Sequence, residues 1–188
     1  MRKLSSGVRA VALALLCVSV LSAPARAARP AADEAEVRGA VERAFEQLRR
    51  GEYEALYDAL PTASQRRLPR ERFVSGLEQT RNFYELQRLE INAVHVADEL
   101  AVADTTVYAR ARMPFEAEGK IVARQYLVRE GGRWRVTTGD RAAVTPLLAA
   151  NPALAKRYPP TQPRLYVKRD GRWVDARTVF NNKRRPAG

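Results

Sequence analysis

Residues 120–138 read KIVARQYLVREGGRWRVTT, and this stretch decides the architecture. Lys120 to Arg129 is rich in branched and aromatic residues, which favours an extended strand. Glu130-Gly131-Gly132 supplies a turn, and Arg133 to Thr138 returns as a second strand. Working upstream, Leu100 to Met113 carries Val102, Thr105, Thr106, Val107 and Tyr108 in strand rhythm. Asp98-Glu99 turns it back on an extended run from Glu85 to Ala97, while Pro114 to Gly119 is a loop. The spacing therefore predicts a four-stranded antiparallel meander. Before it lie helices: Val37, Val41, Ala44, Phe45 and Leu48 form one apolar stripe behind an Asp33–Glu36 capping box, and Gly51 ends it. Tyr53, Leu56, Tyr57 and Leu60 mark a second helix that Pro61 stops. Thr62 with Gln65 predicts a capped turn ending near Leu68. Pro69 then opens a third helix, with Phe73, Val74 and Leu77 on its inward face. Helices first and a meander afterwards make an α+β fold.

Downstream, Thr145-Pro146 and Asn151-Pro152 each predict an N-cap followed by proline, hence two short helical turns. Pro159, Pro160 and Pro163 mark a stiff linker. Leu165 to Lys168 and Arg172 to Val174 flank Asp170-Gly171, a two-residue hairpin signal. Residues 181–188 read as a frayed tail.

Gly51-Glu52-Tyr53 before Leu56-Tyr57, Phe73 to Leu77, Gln125-Tyr126-Leu127-Val128 and Gly132-Arg133-Trp134-Arg135-Val136 together resemble the nuclear transport factor 2-like superfamily. That superfamily includes ketosteroid isomerase and SnoaL-like cyclases. The resemblance spans about residues 33–138. It implies N-terminal helices packed on a curved, cone-like antiparallel sheet, an apolar pocket inside and frequent dimerisation, but no particular activity, since the fold hosts many.

The chain has 188 residues, and its first 27 have the parts of an export signal. Arg2, Lys3 and Arg9 precede an apolar run from Ala10 to Ala23, shorter than the roughly 20 residues of a membrane span. Ala25-Arg26-Ala27 then offers a cleavage pattern before Ala28. Leu16 argues against lipid attachment at Cys17, because it stands where that peptidase needs a small residue. The expected destination is periplasmic or secreted. Cys17 leaves with the signal, so packing alone must hold the exported chain. With one histidine and no remaining thiol, neither a metal nor a cofactor is expected. The expected division is a signal over 1–27, the α+β domain over 28–140 and a basic, proline-containing extension over 141–188.

The formal charge of +12 is unevenly placed. Residues 28–155 hold 19 basic and 19 acidic side chains, whereas residues 156–188 hold ten and two. Arg164, Lys168, Arg169, Arg172, Lys183, Arg184 and Arg185 are thus candidate contacts for an anionic envelope surface or an acidic protein. Nucleic acid is not an expected partner for an exported chain.

Candidate chemistry is sparse. His95 with Asp104 on the neighbouring strand could form a base and its orienting carboxylate. Tyr108 and Tyr126 could bind a ligand, although both also read as strand packing residues. Asp98-Glu99 reads as a solvated turn, and Trp134 and Trp173 as buried hairpin residues. Phosphate loops, nucleophile elbows and nucleotide fingerprints are missing from the sequence. Along the second strand both faces are partly apolar, so a single helical layer would leave one face for a homodimer contact. The reading is an exported, non-catalytic binding or envelope-associated module holding a small apolar ligand. Its alternative is a small pocket enzyme of isomerase, dehydratase or cyclase type.

Overall fold

The computed structural model describes residues 28–113 and 116–182; the segment 1–27 and Lys183, Arg184 and Arg185 lie outside the described residues. Among the described residues four helices precede the strands. α1 (Ala28–Arg50) buries Val37, Ala40 and Val41, one stripe at helical spacing. It begins upstream of Asp33, so the expected Asp33–Glu36 capping box does not form. Both carboxylates instead meet Arg129 from the sheet, Asp33 by a hydrogen bond and Glu36 at 3.8 Å. A largely covered guanidinium needs a carboxylate more than a helix end needs a cap.

α2 (Tyr53–Asp58), α3 (Thr62–Arg67) and α4 (Arg70–Arg81) follow within short turns. Tyr57 joins them: its ring packs 5.7 Å from Phe73, and its hydroxyl donates to the carbonyls of Gln65 and Leu68, each at 3.0 Å. The Thr62–Gln65 capping box is also corrected. The Thr62 backbone N–H and hydroxyl both donate to Glu130 Oε2 at 3.0 Å, while Gln65 donates back to the carbonyl of Tyr57. The helices are thereby tied to the end of the sheet.

All strand pairs are antiparallel. β1 (Tyr84–Ala97), β2 (Leu100–Ala111) and β3 (Ala117–Glu130) form the meander, closed by β4 (Arg133–Val136). Two register shifts in β1, at Leu86/Arg88 and Ile91/Ala93, bend it, and the sheet is curved and open. α5 (Arg141–Ala149) and α6 (Pro152–Arg157) come next, then β5 (Arg164–Arg169), β6 (Arg172–Asp175) and α7 (Ala176–Asn182). β4 pairs with residues 127–130 of β3, and β5 pairs with residues 119–122 of the same edge. One long strand therefore serves two partners, and the hairpin β5–β6 extends the sheet. Its turn has positive φ at both Asp170 (49°) and Gly171 (76°), the conformation a two-residue hairpin requires.

Each face of the sheet has its own core. On the inner face α1 covers Val94, Ala101, Ala103, Leu127 and Trp134. On the outer face Val144, Leu148, Leu154 and Tyr158, from α5, α6 and the residue that follows, cover Val102 and Tyr126. The expectation that a single helical layer leaves the second face open is corrected here, because residues 141–158 cover its turn end. The same burial explains Pro146. Asp140, not Thr145, caps α5, and proline sits inside the helix while Ala143, Val144 and Leu148 are buried. The Asn151 cap holds as expected, its side chain accepting from Leu154 N at 3.0 Å.

Candidate functional site

Between the helices and the inner face lies a cavity of about 320 Å³. This is within the size range of small-molecule pockets. α1 supplies Ala40, Val41, Ala44, Phe45 and Leu48 to its wall; α2 and α4 supply Leu56, Phe73 and Leu77. The sheet contributes Leu89, Val107, Trp134 and Val136, whose side chains alternate onto this face. The wall is thus apolar, with a few polar points: Arg43, Gln47, Thr105, Gln125, Thr137 and Thr138.

Two polar atoms belonging to residues in this wall are buried without a hydrogen-bond partner in the protein, Gln47 Oε1 and Trp134 Nε1. Trp134 is 6% exposed. Leaving such a donor or acceptor unpaired costs about 1–3 kcal/mol each. The remaining polar groups are partly engaged: Thr105 Oγ1 donates to the carbonyl of Ala123 at 3.1 Å, and Thr137 Oγ1 accepts from Gly139 N at 3.2 Å. Together these groups can orient a bound molecule by hydrogen bonds.

The four residues singled out for chemistry stand elsewhere. His95, Asp104, Tyr108 and Tyr126 project from the outer face, and none of them lines the cavity. His95 stacks on Tyr158, ring centroids 4.4 Å apart. Asp104 is paired with Arg124, Oδ1 to Nε at 2.8 Å, so it does not serve His95 as an orienting carboxylate. Tyr126 donates to the carbonyls of Tyr158 (3.2 Å) and Pro159 (3.0 Å), and burial pushes its phenol upward in pKa. Arg124 adds a bond to the same Pro159 carbonyl. These groups hold the turn after α6 against the sheet.

Tyr108 belongs to a second cluster further along the outer face. It donates to Glu90 at 3.0 Å, lies under the Arg88 guanidinium and meets Trp173 edge-on at 6.0 Å. Lys120 sits 4.8 Å over Trp173 and 5.4 Å over Tyr166. The predicted basic residues divide between the two faces of the hairpin. By alternation Arg164 and Lys168 join Tyr166 and Trp173, while Arg169 and Arg172 face the other way.

Sequence reasoning passed over Arg43 and Gln47. Their signal is position: each flanks the apolar stripe of α1, one helical turn from Ala40 and Ala44, where a polar residue sits at the rim of a buried face.

No family model and no curated protein matches this sequence. Solved structures do. One is a candidate dehydratase of the NTF2-like family from Streptomyces avermitilis, 18% identical, with 57% of this chain covering 92% of that one at a TM-score of 0.46.

Proposed function

We propose that the protein is a binding module which holds a small, mainly apolar molecule between its helices and the inner face of the sheet. The observation that carries this reading is the cavity itself, walled by aliphatic and aromatic side chains with a few amide and hydroxyl side chains among them. Such a wall desolvates an apolar body, and amide and hydroxyl groups in it fix orientation. The neutral dye N-phenyl-1-naphthylamine should bind with a saturable rise in fluorescence. Ala44→Phe, which fills the cavity from α1, should weaken that binding at least about tenfold while far-UV circular dichroism stays unchanged. Equal binding by this variant would contradict the reading.

Export belongs to the same proposal, supported by Arg2, Lys3 and Arg9, the apolar run and Ala25-Arg26-Ala27. N-terminal sequencing of the protein from its native host should begin near Ala28; an intact Met1 in a cytosolic fraction would refute it. A second contact is proposed for the outer face, an anionic envelope surface meeting Lys120 and Arg164, while Lys168 beside them is paired with Glu118 at 2.7 Å. What favours it is the way the Trp173 and Tyr166 rings hold the Lys120 ammonium in place.

A further inference from the structure

The cavity carries formal charge at one point among the described residues that line it, Arg43. Three other arginines of α1 are paired: Arg38 with Glu34 at 3.0 Å, Arg49 with Glu46 at 2.7 Å, and Arg50 with Glu46 at 3.6 Å. Arg43 has no carboxylate within 4.0 Å among the described residues. The guanidinium lies back along the preceding turn, where a Cβ at position 39 would stand 3.2 Å from its Nη1. Gly39 therefore leaves the room it occupies.

Arg43 is exposed and Val41 is buried, so the cavity runs from a cationic rim to an apolar interior. A guanidinium offers parallel N–H donors that match a carboxylate or a phosphate. We infer that the molecule held in the cavity is an amphipath, its apolar body inside and a single anionic head, carboxylate or phosphate, on Arg43. This rests on the cavity reading and adds to it the charge and orientation of the ligand.

Displacement of N-phenyl-1-naphthylamine separates the two. Decanoate, decyl phosphate and decanol share one apolar chain and differ in the head. In the parent protein at least one anionic compound should displace the dye at a concentration about tenfold below that of decanol, as a charge-assisted hydrogen bond implies. Arg43→Gln should abolish that preference, so that all three compounds displace the dye at similar concentrations, and Arg43→Lys should keep part of it. Equal displacement by all three compounds, or a preference that survives Arg43→Gln, would overturn the inference and leave the cavity reading intact. Failure of the dye and of all three compounds to bind would overturn both.

Discussion

Asp140 shows how one carboxylate can join three parts of the chain. It accepts from the Thr138 hydroxyl, from Ala143 N at 2.9 Å as the cap of α5, and from Arg67 of α3 at 3.1 Å. These partners, the Thr138 hydroxyl foremost, hold its pKa below the usual carboxylate range. Asp140→Ala should cost about 1 kcal/mol, the ordinary value of a lost N-cap, and lower Tm by about 2–4 °C in a chain this size. Because the folded pKa is depressed, the contribution is complete above the ordinary aspartate pKa of about 3.9. It disappears as pH falls through the folded value. Thermal unfolding of parent and variant should therefore converge in acid, and a gap that stayed constant across pH would contradict the assignment. At this scale the sequence was legible where the partner is local, as at Asn151 with Leu154. It misled where the partner is distant. The hydroxyl of Thr62 goes to Glu130 and the carboxylate of Asp33 to Arg129, neither of which adjoins it in sequence.

Among the elements, the hairpin β5–β6 was readable from Asp170-Gly171 because turn chemistry is local. Its docking on β3 was not, since the sequence names no pairing partner for an isolated strand. Alternation then decides which charges act together. Arg164 and Lys168 stand with Lys120 beside Tyr166 and Trp173, and Arg169 pairs with Arg172 on the opposite side. A contact made by the outer face should distinguish the two sets. Lys120→Gln with Arg164→Gln should weaken binding to phosphatidylglycerol vesicles at low salt, each basic residue contributing up to about 1 kcal/mol. Arg169→Gln with Arg172→Gln should weaken it less, and both differences should fade as salt rises. Equal loss from the two pairs would show that net charge alone is at work.

For the molecule as a whole, the α+β class and the order of the elements could be read from periodicity. Which face of the sheet holds the cavity could not. Both faces of β2 carry small and branched residues, so parity assigns Asp104 and Tyr108 to one side without saying what covers it. Two coverings settle the matter: α1, α2 and α4 leave a cavity over the inner face, while α5 and α6 pack tightly on the outer one. The central claim is that a ligand lies against the inner face. The chain's two tryptophans report on the two sides, Trp134 in the cavity wall and Trp173 on the outer face. In a ¹H–¹⁵N correlation spectrum each indole gives its own resonance, assignable with Trp173→Phe. Titration with decanoate should move the Trp134 indole signal saturably and leave that of Trp173 in place. A shift confined to Trp173, or no shift of Trp134 at saturating ligand, would contradict the account.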